Sequence, residues 1–169
     1  MIDIAYAVAM SHYNRWMNER LYALCAELSD DERKRDAGAF FKSIHGTLNH
    51  LVWADSLWLA RFRAEPLPDL GGPDAIVCED FDELRTRRAE LDREIGEFAA
   101  RLDTSWLERP FRIWVVSRQE YAEQKAWIWI VQLFNHHTHH RGQVTTLLSQ
   151  LGKDIGVTDV PKTPGIDQL

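Results

Sequence analysis

Cysteine is scarce in this sequence: Cys25 and Cys78 are the only two among 169 residues. Two thiols cannot build a disulfide framework or a thiolate metal cage, so a reducing cytosol is the expected setting. Both are expected to act as small buried hydrophobes. Long apolar runs are missing too. No window approaches the roughly 20 consecutive apolar residues of a membrane-crossing helix. The start, MIDIAYAVAM, carries Asp3 where an export signal needs basic residues, and its apolar run stops at Ser11-His12. Neither a membrane partner nor an export signal is expected. Nor is there an excess of basic residues: 20 Lys and Arg stand against 26 Asp and Glu, a formal charge of −6. That balance opposes binding to nucleic acid or to an anionic membrane surface.

The chain also lacks a fixed-period repeat and any low-complexity segment, which predicts a single domain spanning residues 1–169. At this length a compact fold buries about 70% of the surface its unfolded chain exposes. Such a fold stands without disulfides or a structural metal, so a metal here would serve function. What the chain does hold is seven Trp and seven His, four of the His inside residues 136–140.

From Ile4 to about Leu28, apolar residues recur at three- and four-residue spacing through Tyr13, Met17, Leu21 and Leu24, predicting a first helix. Ser29-Asp30-Asp31-Glu32 ends it. A second periodic run begins after Asp36 and carries Phe40, Ile44, Leu48, Leu51, Trp58 and Phe62. Residues 64–78 hold three Pro and two Gly and read as a long crossover. Asp80 with Glu83 fits a capping box for a third helix through Leu84, Leu91, Ile95 and Leu102. Between Asp103 and Glu120, the partly alternating stretch Phe111 to Val116 predicts an extended segment or short hairpin. A fourth helix is expected from Tyr121 to Leu151, ended by Gly152, followed by an irregular tail at the surface or an interface. The sum is an all-α four-helix bundle with long crossover connections.

On the fourth helix, His136 and His140 are separated by about 40° and one turn, so both imidazoles reach a common point. His140 falls within the apolar arc of Trp129, Leu133, Val144 and Leu147. His137 also lies within that arc, so His137 with His140 is a competing pair. On the second helix, His50 borders the apolar stripe whereas His45 lies opposite, which makes His50 the better third ligand. Three neutral imidazoles with an open position are the arrangement of a catalytic zinc site. Nickel, iron or manganese suit the same nitrogens. The chain has no Glu-x-x-His, which removes the carboxylate-bridged di-iron pattern. His50 and Asp55 form His-x-x-x-x-Asp, but the companion His-x-x-x-Glu of oxygen-carrying di-iron bundles is missing, and there is no His-Glu-x-x-His.

The blocks Tyr13-Asn14-Arg15-Trp16-Met17-Asn18, Leu48-Asn49-His50-Leu51-Val52-Trp53-Ala54-Asp55 and Asn135-His136-His137-Thr138-His139-His140-Arg141-Gly142-Gln143 resemble the DinB family (DinB/YfiT-like metalloenzymes). The resemblance covers nearly the whole chain. It implies a divalent metal held by His50, His136 and His140 rather than His137, a four-helix bundle and a homodimer. The wider superfamily includes thiol-dependent S-transferases and isomerases that use mycothiol or bacillithiol. Its name refers to DNA-damage induction, a matter of expression that implies no DNA contact.

The expected function is therefore that of a metal-dependent enzyme acting on a small-molecule substrate, either an S-transferase using a low-molecular-weight thiol or a hydrolase. A non-catalytic metal-binding or stress-response interaction protein is the alternative. No residue identifies itself as a dedicated general base. Asp55, about 140° around the helix from His50, is expected at the surface or in a cap. His139 reads as exposed or as a support for the site, and Arg141 as an ion-pair partner of another helix. Gly142, costly inside a helix by about 1 kcal/mol, implies close packing or space beside the ion. Asn14 and Asn18 form an i, i+4 polar pair, and Trp53 and Trp58 flank the His50 turn as core or cavity wall.

Overall fold

A computed structural model describes residues 2–115 and 119–169. Four long helices dominate it: α1 (Ile4–Ala26), α3 (Ile44–Arg63), α4 (Phe81–Ala100) and α6 (Ala126–Gln150). Two one-turn helices, α2 (Asp30–Lys34) and α5 (Thr104–Glu108), and a two-stranded antiparallel sheet of β1 (Pro110–Val115) and β2 (Glu120–Lys125) fill the connections. α1 packs on α4 and α6, and α3 packs on the same two helices, so the bundle runs α1–α4–α3–α6 around its axis. The apolar stripes of all four meet in a core that includes Leu21, Leu48, Leu91 and Leu148, each fully buried.

The helix starts are where polar side chains can take up orphan amides. Asp3 accepts from Tyr6, Ser43 from Gly46, Asp80 from Asp82 and Glu83, and Asp103 from Trp106. Each such cap contributes about 1 kcal/mol. Ser29 and Glu32 form a reciprocal capping box that launches α2, where the sequence suggested only an end to the first helix. Gly152, at φ +74°, closes α6 as expected: its N–H donates to Ser149 O and the N–H of Lys153 to Leu148 O, a Schellman arrangement.

Two boundaries differ from the sequence reading. The second long helix starts at Ile44 rather than after Asp36, because Ser43 caps it and residues 39–42 close a tight turn with an Ala39–Lys42 bridge. That turn leaves the Phe40 ring 80% exposed instead of in the core. The last helix starts at Ala126 rather than Tyr121, because residues 120–125 pair with 110–115 in the register Ile113 opposite Ala122. The expected hairpin is present through Val115; Val116 lies outside the described residues. The crossover after α3 contains no helix. It begins at Ala64 in a left-handed cap, and four side chains of α3 pin it to the bundle: His45 Nε2 donates to Cys78 O, Asn49 bonds Cys78 in both directions, His50 Nδ1 donates to Pro73 O and Trp53 Nε1 to Gly71 O. The tail lies on the surface of α1, where Tyr13 Oη donates to Thr158 O at 2.8 Å and Arg20 donates to the carbonyls of Ile155 and Val157. Among the described residues, no helix is long and apolar enough to cross a membrane.

Candidate metal centre

α3 and α6 lie side by side, and the inward faces of both carry histidine. His50 and His140 are each 6% exposed and His136 is half-buried. His136 Nε2 stands 3.1 Å from His50 Nε2 and 3.1 Å from His140 Nε2, and one donor nitrogen from each of the three lies within 4.8 Å of the other two.

Their proton positions follow from their outer partners. A carbonyl oxygen only accepts, so His50 must carry its proton on Nδ1, which donates to Pro73 O at 2.8 Å. His140 Nδ1 donates in the same way to Gln143 Oε1 at 2.8 Å. Both Nε2 atoms therefore present lone pairs to His136. A proton on His136 Nε2 satisfies only one of them and leaves the other without a donor, and a cation is what such a donor set accommodates. The imidazoles are held ready for one: burial, then the neighbouring His140 and His50, push His136 down to about 3, and burial pushes His140 down to about 4 and lowers His50.

These shifts have a sign. A histidine neutral in the fold and protonated when unfolded binds fewer protons in the native state, so stability is present above the ordinary value of about 6.5 and falls as pH drops from there toward the folded values. Metal-free protein is expected to lose several degrees of melting temperature between pH 7 and pH 5. Thermal denaturation after chelator treatment checks this; an unchanged melting temperature over that range contradicts it.

Two aromatic rings stack on His50. Phe41 stacks on it at 3.9 Å between centroids and 18° between planes, and Trp53 at 5.7 Å and 23°. Phe41 reaches that position because α3 opens with a glycine in its first turn: a Cβ on Gly46 would meet the Phe41 carbonyl oxygen at 2.3 Å. Gly46→Ala gains about 1 kcal/mol of helix propensity but must displace a backbone tied by the Ala37–Lys42 and Lys42–Ala39 hydrogen bonds. Overpacking of this kind costs about 1–3 kcal/mol. The variant is expected to be destabilised overall and to bind divalent metal more weakly, as measured by denaturation and by titration with zinc.

The remaining candidates divide cleanly. His137, the competing ligand, is fully buried and turned away from the triad, its Nε2 donating to Asp55 Oδ2 at 2.7 Å. His45 is 2% exposed and committed to Cys78 O, and His139 is exposed. Trp58 is in the core, whereas Trp53 is the one beside His50. Gly142 has open space where a Cβ would stand, so close helix packing does not explain it.

Asp55 is not at the surface or in a cap: it is fully buried. The 140° that separates it from His50 turns it toward the bundle axis, where Arg88 Nη1 on α4 donates to its Oδ2 at 2.6 Å. Arg88 Nη2 also lies 3.1 Å from Asp92 Oδ1, which accepts from Asn18 at 2.8 Å and Asn14 at 3.2 Å. Arg141 donates to Asn14 Oδ1 and lies 5.4 Å from the Tyr13 ring centre, so its partner across the helices is an amide and a ring. Burial alone disfavours a charged Asp55, but His137 and Arg88 outweigh it and hold the carboxyl below its ordinary range. Burial raises Asp92 and lowers Arg141 to about 10. Two carboxylates and two guanidiniums thus sit at the centre of the bundle, joining all four long helices. Sequence reasoning singled out Arg141 and the Asn14–Asn18 pair but missed Arg88 and Asp92, which stand at i, i+4 on α4.

This geometry agrees with what the chain is similar to. Protein DinB of Bacillus subtilis (strain 168) is 24% identical over 163 residues, 91% of each chain. The family model described as DinB family matches residues 1–167, and the chain belongs to that family.

Proposed function

We propose that His50, His136 and His140 hold a divalent metal ion through Nε2 and that the protein is a metal-dependent enzyme acting on a small molecule. The observation that carries this reading is the pair of lone pairs, on His50 and His140, turned toward a third imidazole nitrogen at 3.1 Å. Zinc or nickel is the first choice, with iron or manganese suiting the same nitrogens. The ion would supply Lewis-acid chemistry that acidifies a thiol or water for attack on an electrophile. The chain's own part is to hold three neutral imidazoles in one orientation, through Pro73 O, Gln143 and the Phe41–Trp53 stack.

The proposed reaction is transfer of an electrophile to a low-molecular-weight thiol, with hydrolysis as the second enzymatic form. The non-catalytic reading, a metal-binding or stress-response interaction protein, draws support from the buried carboxylates: Asp55 and Asp92 are both engaged by Arg88, which leaves neither free to act as a base. Free Cys25 and Cys78 fit a cytosolic setting, and the charge of −6 argues against nucleic acid. Exposed Phe40, Trp114 and Tyr121 fit a homodimer, which light scattering across dilution tests.

Metal-loaded and chelated protein assayed with thiols plus alkyl and epoxide electrophiles, and with ester and amide substrates, separates these readings. Turnover that chelation abolishes supports the enzyme. Full metal occupancy with no turnover in either panel favours the binding protein.

A further inference from the structure

We propose that Gln143 is a positioning residue for the three-histidine site, that it selects the His140 tautomer with a free Nε2, and that His139 holds Gln143 in the orientation this requires. Gln143 lies one turn along α6 from two adjacent rings, His139 and His140. Its Oε1 is 2.8 Å from His140 Nδ1, and its Nε2 is 3.4 Å from His139 Nε2. The two ends of an amide are not equivalent: the oxygen only accepts and the nitrogen only donates. With the oxygen toward His140, Nδ1 must be the protonated nitrogen, and the lone pair falls on Nε2, facing His136 Nε2 at 3.1 Å.

A flipped amide would reverse this. Its NH2 group would demand a lone pair on His140 Nδ1, the proton would move to Nε2, and the nitrogen that faces the other two imidazoles would no longer be a ligand. His139 couples to the flip: its Nε2 accepts from the amide N–H, so reversing the amide requires the His139 proton to move to Nε2 as well as the His140 proton. The His139 ring also stands edge-on to His140 at 4.7 Å between centroids and 79° between planes, which keeps it within reach of the amide. His50 needs no such device, since a backbone carbonyl fixes its tautomer. His140 depends on a side chain that can rotate, and that side chain is itself held.

The metal arm of the test rests on the proposed function; the tautomer arm does not. Imidazole 15N shifts of metal-free protein at pH 7.5 should show His140 protonated at Nδ1 in the wild type and as a mixture in Gln143→Met, which keeps length but lacks an acceptor. Gln143→Glu, which restores an acceptor, should return the single tautomer. Zinc affinity measured against a competing chelator should fall about 10–100-fold in Gln143→Met and remain within a few-fold of wild type in Gln143→Glu. His139→Ala should shift both readouts in the same direction by less. A wild-type tautomer and affinity in Gln143→Met overturn the proposal, as does a Gln143→Glu protein as weak as Gln143→Met, or a loss in His139→Ala greater than in Gln143→Met. A wild-type chain that takes up no zinc but shows the expected tautomers would defeat the metal reading and leave the positioning role standing.

Discussion

Asp55→Ala is expected to destabilise the fold by about 3–5 kcal/mol, the range measured when one partner of a buried ion pair is removed. The carboxylate is fully buried and its Oδ2 accepts from Arg88 at 2.6 Å and from His137 at 2.7 Å. Without it, Arg88 keeps only Asp92 as a counter-charge and the His137 N–H loses its acceptor inside the core. Whole domains are stable by roughly 5–15 kcal/mol, so this one change removes a large share. Urea denaturation provides the check: the midpoint should fall sharply, and a loss below 1 kcal/mol would show that the network is not a principal tie among the four helices. The loss should reach the metal site too, because His137 is adjacent to His136 on α6 and its bond to Asp55 fixes how that helix is turned about its axis.

Alanine at His50 or at His140 is expected to act in the opposite sense, abolishing metal uptake while leaving the fold intact. Each change removes one of three donors, so affinity should fall by more than the roughly 10–100-fold that loss of a supporting hydrogen bond costs. Elemental analysis of protein purified without a nickel column should drop from near one metal per chain to background. His136→Ala adds a check that activity could not give. Burial and its two neighbours hold His136 down to about 3, so keeping it neutral grows costlier below pH 6.5. Metal-free His136→Ala should therefore resist acid better than metal-free wild type. Residues kept for binding at the expense of stability behave in this way.

Much of this was legible in residue spacing. The i, i+4 relation of His136 and His140 and the stripe containing His50 marked two sides of the site, and Asp80 and Gly152 marked helix ends; Asp80 caps α4 through its own side chain, as half of the capping box read from Asp80 and Glu83. Helix geometry alone left His137 as a rival to His136, because both lie near the buried arc. What separates them is Asp55 on another helix, which claims His137. Asp55 and Arg88 are 33 residues apart, and no periodicity signals such a pair. The start of the last helix was misplaced for a similar reason. Glu120-Tyr121-Ala122-Glu123-Gln124-Lys125 is composed largely of helix formers, and only pairing with β1 makes it a strand. Gly46 gave no local sign of its role either, since the atom it accommodates belongs to the turn before the helix.

Anomalous diffraction from crystals equilibrated with zinc at neutral pH tests the central claim most directly. The account predicts one strong peak per chain, shared by Nε2 of His50, His136 and His140, with His137 still bonded to Asp55. A peak that includes His137 or lies away from α3 and α6, or no peak at full zinc saturation, would contradict it.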